Sequence, residues 1–327
     1  MEALSLRILL VGGLGFIGRH LIHRLSIEHH LVIVSDREGV EEASRSYTET
    51  GPVVEIADIT DGNSVMEVLL RHRPEAVVHL AALTGIAKCN NDPKLSFHTN
   101  VLGTYNVVVA CAACRCKLIF ISSREVYGDT ISDLTGENAP LIPNNVYGVT
   151  KMMGEMLVRW ASSKYGLDYT ILRITNIYGP GGDQYNVQAM VREALSKRRI
   201  RVLGGKQRMN LIFVGDVVEV ITRCLSDPRT SRQVFNVGSG DDLSVEEVVA
   251  ELVPLLPFPV EIEHESMREG ETMNFRPNLE KMHNTLELHT TTTLPEGLRR
   301  TVDWYLSQSG QTGFRPSRQR SHSDRRV

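Results

Sequence analysis

No apolar run in this 327-residue chain approaches the roughly 20 residues that a membrane span needs. Its N-terminal apolar stretch is too short and too interrupted by glycine for a signal peptide, and it reads as a first strand. Cysteine is scarce: five residues, odd in number and unevenly placed, argue against a disulfide framework and for a reducing compartment, so a cytoplasmic protein is expected. A formal charge of −3 gives no reason to expect nucleic acid or an anionic membrane as partner. What remains is the composition of a globular protein, 42 % hydrophobic and 23 % charged, with enough chain for one large or two modest domains.

Short, nearly continuous apolar runs alternate with helix-period segments through the first half. Strands are expected at Arg7–Val11, Leu31–Ser35, Val53–Ala57, Ala76–Leu80, Lys117–Ser122 and Tyr169–Ile174, each with the character of a strand covered on both faces. Helices are expected near Phe16–Ser26, Ser64–Arg71, Leu95–Cys114 and Val146–Tyr165. This alternation predicts an α/β fold, a doubly wound parallel sheet of the Rossmann type with ligands at the carboxyl ends of its strands. Past Ile174 the breaker cluster Gly179-Pro180-Gly181-Gly182 opens a mixed region with helices near Val187–Arg198, Asp216–Leu225 and Ser244–Leu252, the last two with capping residues at their starts. Phe235-Asn236-Val237-Gly238 reads as a late strand returning to the sheet. The expected division is a dinucleotide-binding domain of residues 1–176 plus about 213–240, and a smaller substrate-binding lobe of about 177–212 and 241–308. Residues 309–327, rich in Arg, Ser, Gln and Gly, are expected to be a disordered tail.

Gly12-Gly13-Leu14-Gly15-Phe16-Ile17-Gly18 follows the first strand with GxxGxxG spacing. Glycines so spaced let a strand turn sharply into a helix whose N-terminal N–H groups and positive dipole end meet a pyrophosphate. Asp36 ends the second strand, where a carboxylate accepts both ribose hydroxyls of an adenosine and repels a 2′-phosphate, which favours NAD over NADP. Arg37 beside it pulls the other way, and a turn-capping role for Asp36 is the competing reading. Asp58, after the third strand, sits where it could bond an adenine amino group or cap the next segment. Tyr147 and Lys151 lie four apart, on one face of a helix. A free tyrosine, with a pKa of about 10, is a poor base at neutral pH. A neighbouring ammonium and a cationic nicotinamide both favour its phenolate. Ser123, ending the strand Ile119-Phe120-Ile121-Ser122-Ser123, is placed to bond the same substrate oxygen.

With these motifs the chain resembles the extended short-chain dehydrogenase/reductase family, in its NAD-dependent nucleotide-sugar epimerase/dehydratase branch, from about Arg7 to Tyr305. The resemblance also rests on His79-Leu80-Ala81-Ala82, Asn100-Val101-Leu102-Gly103-Thr104, Ser122-Ser123-Arg124-Glu125-Val126-Tyr127-Gly128 and Arg173-Ile174-Thr175-Asn176-Ile177-Tyr178-Gly179-Pro180. It implies a catalytic set of Ser123, Tyr147, Lys151 and Glu125. For NAD it implies contacts from Gly12, Gly15, Phe16, Ile17, Gly18, Asp36, Asp58, Ile59, Leu80, Ala81, Ala82 and Asn100, with Tyr147 and Lys151 reaching the nicotinamide end. Thr84, Asn176, Arg208 and Arg268 are the implied substrate contacts, Arg268 as the arginine that grips the diphosphate. A homodimer through the helices near Leu95–Cys114 and Val146–Tyr165 is implied as well.

Departures bear on the reaction. The family's Arg-Asp-Phe before the helix near Asp216 is Arg208-Met209-Asn210-Leu211 here, so Arg208 would have to replace the arginine missing at Met209. The tryptophan-proline features usual near Leu286 are also missing. Glu125 resembles the glutamate of dehydratases and decarboxylases, yet Arg124 stands where one dehydratase subgroup has an acidic residue. The expected enzyme acts on a nucleotide sugar, with UDP-sugars favoured, through a 4-keto intermediate. The expected order is 4-epimerase first, then 4,6-dehydratase or UDP-glucuronate decarboxylase using Glu125, then a non-catalytic NAD-binding regulator. A regulator would commonly lose the tyrosine or lysine, and this chain keeps both. Cys111, Cys114 and Cys116 read as small core hydrophobes, and no metal site is expected.

Overall fold

A computed structural model describes residues 5–28, 31–36, 51–130, 134–182 and 186–311. Arg37, the pair His29-His30 and the tail beyond Gln311 lie outside the described residues. Strands β1 (Arg7–Val11), β2 (Leu31–Asp36), β3 (Val53–Ile56), β4 (Ala76–His79), β5 (Lys117–Ser123) and β6 (Tyr169–Ile174) join a late strand, Gln233–Val237, in one seven-stranded sheet. Every pairing in it is parallel, and the order is Gln233–Val237, β6, β5, β4, β1, β2, β3. Chain direction across the sheet reverses at β1, which lies between β4 and β2, and this switch point is where a doubly wound sheet opens a crevice.

The apolar strands divide their side chains between two cores. Ile8 and Leu10 pack on one face with Leu21, Ile119 and Leu172; Leu9 and Val11 pack on the other with Val77, Leu118 and Phe120. That two-residue alternation, with both faces covered, explains why the strands read as unbroken hydrophobic runs. Cys111 and Cys116 belong to the second core. A third core gathers Val191, Ile200, Val202, Met209, Val248 and Leu298 from later elements. These include the helices Asn186–Lys197, Val245–Leu252 and Leu294–Gln311, and short strand pairs such as Arg199–Leu203 with Glu261–Glu265.

Two local expectations change. The segment expected as one helix over Leu95–Cys114 has three parts: a helix at Pro93–Phe97 capped by Asp92, a π-helical turn at His98–Leu102, and a helix at Gly103–Cys114. The π turn holds the buried Asn100, whose amide accepts from Leu83 N (2.7 Å) and donates to Leu83 O and to Thr150 Oγ1, each at 3.0 Å. Asp216 is no cap: the helix starts at Val214, and the Asp216 carboxylate accepts from the backbone and hydroxyl of Thr292. Ser244 does cap its helix, in a reciprocal capping box with Glu247. No helix among the described residues is long and apolar enough to cross a membrane.

Candidate active site

A cleft of about 530 Å³ lies along the carboxyl ends of β1, β2 and β4. It is lined by Gly12, Gly15, Phe16, Ile17, Gly18, Asp36, Asp58, Ile59, Leu80, Ala81 and Ala82, the cofactor positions expected from the sequence outside the nicotinamide end except Asn100. The loop is built for close approach. A Cβ on Gly18 would lie 2.2 Å from Gly13 O, so only glycine lets the helix Phe16–Ile27 start this near the preceding turn. That helix has Gly15 at its N-cap with no side chain capping it, leaving backbone donors for an anion. Asp36 accepts from Leu14 N at 3.2 Å, which fixes a carboxylate at the rim of the cleft. Asp58 accepts from the backbone and hydroxyl of Thr60 in a local turn, while Asp61 caps the next helix. The donor set fits a dinucleotide whose ribose hydroxyls meet a carboxylate.

A second cavity, about 210 Å³, shares Ile17, Leu80 and Thr84 with the first. Ser123, Arg124, Glu125, Tyr147, Lys151, Asn176, Arg208 and Arg268 all line it. Tyr147 and Lys151 sit on the helix Val146–Tyr165, whose first turn is capped by Asn145 accepting from Gly148 N at 2.8 Å. A Cβ on Gly148 would lie 2.3 Å from Glu125 O, so the glycine between tyrosine and lysine seats this helix against the Ser123–Glu125 turn. Lys151 Nζ donates to Ile121 O at 2.9 Å and lies 5.9 Å from the centre of the Tyr147 ring. Burial lowers the Lys151 pKa to about 8, partly opposed by Cys89 and Glu155. The fully buried His79 nearby is held neutral, its pKa lowered to about 3 by desolvation and then by Lys151. Ser123 Oγ accepts from Glu125 N at 3.2 Å, so its own hydrogen is available to a ligand oxygen.

The Lys151 shift has a consequence for stability. The unfolded lysine, at about 10.4, holds its proton more tightly than the folded one at about 8. Stability from this group is therefore complete above the unfolded value and falls as pH drops toward 8. Lys151→Met is expected to gain stability over the wild type at pH 7, and the gain should shrink by pH 10 in urea titrations. A difference independent of pH would refute the assignment.

Glu125 is tied down. Its carboxylate pairs with Arg124 at 2.9 Å and accepts from Asn145 Nδ2 at 2.8 Å and Thr272 Oγ1 at 3.3 Å. Arg208, expected to stand in for the arginine missing at Met209, pairs instead with Asp242 and Glu247 at 3.2 Å, and Met209 is buried in the third core. Arg268 is half-exposed and lies 3.5 Å from Glu271. Asn100 lines neither cavity and bridges the Leu83 loop to Thr150. Sequence reasoning missed Thr175, Gln207, Glu271 and Thr272, which also line the second cavity. Gln207, Arg268 and Glu271 continue into a third cavity of about 320 Å³ with Glu193 and Arg201. Burial raises the Glu271 pKa, and its only sequence signal was its place in Arg268-Glu269-Gly270-Glu271.

The profile of the NAD dependent epimerase/dehydratase family matches residues 8–238. The chain belongs to this family. It is an NAD-dependent enzyme with the α/β fold expected from its sequence. It is 29 % identical over 317 residues to a UDP-N-acetyl-α-D-glucosaminuronate decarboxylase of Bacillus cytotoxicus, covering 91 % of this chain and 97 % of that one. It is likewise 29 % identical over 325 residues to a dTDP-glucose 4,6-dehydratase of Mycobacterium tuberculosis, covering 95 % and 96 %. Among solved structures, the UDP-glucose 4-epimerase of Thermotoga maritima with UDP-glucose superposes with a TM-score of 0.86 at 27 % identity, covering 92 % of this chain and 99 % of that one.

Proposed function

We propose that the protein is a nucleotide-sugar 4-epimerase working through a 4-keto sugar. The observation that carries this choice within the family is the state of Glu125: its carboxylate is occupied by Arg124, Asn145 and Thr272, and the neighbouring Arg124 cannot serve as an acid. Elimination needs an acid and a base acting on adjacent carbons, whereas 4-epimerisation needs only the alcohol–ketone machinery. Tyr147 is then the base that removes the hydroxyl proton, Lys151 stabilises its phenolate, and Ser123 donates to the same oxygen. NAD held by the first cleft supplies the hydride acceptor and, once reduced, the donor. In this reading Asn100 positions the Tyr147 helix through Thr150, Asn176 meets the sugar, and Arg268 meets the diphosphate, with UDP as the favoured nucleotide.

Residues 1–176 with about 213–240 then hold the dinucleotide, and about 177–212 with 241–308 hold the sugar nucleotide. Mass spectrometry on UDP-, GDP- and dTDP-sugars tests the choice. Product of unchanged mass supports epimerisation; loss of water or of CO₂ would replace it with the dehydratase or decarboxylase reading. In the same assay Glu125→Gln is tolerated by an epimerase and not by a dehydratase.

The paired helices also carry exposed apolar side chains. Phe97, Leu102, Tyr105, Met156 and Trp160 are each more than a third exposed, and Phe97, Leu102 and Tyr105 line one surface cavity with Val101 and Leu157. This contiguous patch supports a homodimer of this chain through that face. Sedimentation velocity should give a dimer that Leu102→Glu with Trp160→Glu dissociates; a monomeric wild type would reject it. Cys89, Cys111, Cys114, Cys116 and Cys224 are all free thiols, which supports a cytoplasmic location that cell fractionation would check.

A further inference from the structure

Arg124 is unusually placed for a cation. It lines the cavity that holds Ser123, Tyr147 and Lys151, yet the residue is only 8 % exposed. Its Nη2 pairs with Glu125 at 2.9 Å, its guanidinium lies 5.8 Å from the Phe275 ring centre, and its Nε is buried with no partner. A buried donor left unmade is costly, and an arginine has no neutral form in which to escape that cost. A second buried polar atom on the same cavity, Thr175 Oγ1, also lacks a partner. Two residues lining one cavity, each with an unpartnered buried polar atom, point to a ligand that completes them.

The charge around this cavity says which kind. Its cations are Arg124, Lys151, Arg208 and Arg268, and its carboxylates are Glu125 and Glu271. Arg208 is offset from outside by Asp242 and Glu247. Glu125 is shared between Arg124 and two neutral donors, and burial pushes Glu271 toward its neutral form. The diphosphate of a sugar nucleotide takes Arg268 under the reading above. Arg124 then remains beside the catalytic Ser123 as a fixed cation facing the sugar, where a neutral hexose offers only hydroxyl groups.

We propose that Arg124 selects nucleotide-linked uronic acids, its guanidinium binding the carboxylate carried by the sugar ring. The proposal rests on the nucleotide-sugar reading of the site and narrows its substrate class. Because a site built to bond a charged group discriminates strongly against ligands lacking it, the selectivity is large.

The test is calorimetry on NAD-loaded protein carrying Tyr147→Phe, expected to slow turnover, with UDP-glucuronate against UDP-glucose and with the matching dTDP pair. At least one pair should show the uronate binding roughly 30-fold more tightly or better, as expected for a charge-assisted bond. Adding Arg124→Gln should erase that preference, and Arg124→Lys should restore part of it. Glu125→Gln, which releases Arg124 from its partner, should keep or increase the preference. Arg124 would instead serve only to neutralise Glu125 if Glu125→Gln and Arg124→Gln each left the ratio of affinities unchanged. Equal or tighter binding of the neutral hexose overturns the proposal and leaves the nucleotide-sugar reading standing. Failure of every sugar nucleotide to bind, with NAD retained, overturns both.

Discussion

Replacing Tyr147 with phenylalanine is expected to lower turnover by roughly 10²–10⁴-fold, the range for loss of a positioned general base, while NAD affinity changes by no more than a few-fold. The expectation follows from how little else in the cavity can take a proton from a sugar hydroxyl. Glu125 is held by three partners, and Ser123 is an alcohol whose oxygen already accepts from Glu125 N. His79 is fully buried and bonds Thr104 at 3.0 Å, beneath rather than at the cavity. Glu271, the other carboxylate on the cavity, has Arg268 at 3.5 Å, whereas Tyr147 stands on the helix that presents Lys151, whose Nζ lies 5.9 Å from its ring centre. A buried, weakly screened ammonium favours the anionic form of a phenol beside it. Single-turnover kinetics, with bound NAD followed by absorbance, measure both quantities. Turnover within tenfold of wild type in Tyr147→Phe would remove Tyr147 from its proposed role.

The sheet was legible because its strands obey one rule throughout. Each of Arg7–Val11, Ala76–His79 and Lys117–Ser123 is covered on both faces, so apolar runs and turn residues alone placed them. Later elements follow no such rule. Arg199–Leu203 pairs with Glu261–Glu265, whose composition is charged and whose residues are mostly exposed, so no hydrophobic pattern marks it. The π turn at His98–Leu102 was hidden for a different reason: an extra residue in a helix leaves composition unchanged while rotating Asn100 into the interior. At the site, residues in compact motifs were readable, as with Ser123, Tyr147 and Lys151. Partners brought from afar were not. Thr272 reaches Glu125 across 147 residues, and Arg208 could be placed by spacing but not matched to Asp242.

Arg173→Met is expected to destabilise the protein by about 3–5 kcal/mol, the cost of leaving a buried carboxylate without its partner. Arg173 and Glu155 are each 1 % exposed in their side chains and meet through two bonds, Nε to Oε1 at 2.9 Å and Nη2 to Oε2 at 2.6 Å. The pair extends further, because Ser122 Oγ donates to Glu155 at 2.7 Å and Arg173 Nη1 donates to Tyr127 Oη and Glu137 O. Tyr127 in turn donates to Asn236 Oδ1 at 2.7 Å, so one buried network joins β5, β6, the late strand and the Tyr147 helix. Burying two charges is itself costly, which is why the pair need not add net stability. Arg173→Met with Glu155→Leu should therefore recover most of the single variant's loss in denaturant unfolding; a double variant as unstable as the single would show that the rest of the network carries the stability. Glu155 also lies one helical turn from Lys151, whose proton it helps retain. The double variant is accordingly expected to refold well and yet lose activity at lower pH than the wild type, because Lys151 then gives up its proton sooner. Stability restored without the pH profile would separate the two tasks of one ion pair: holding the strands together, and keeping a lysine charged beside the tyrosine.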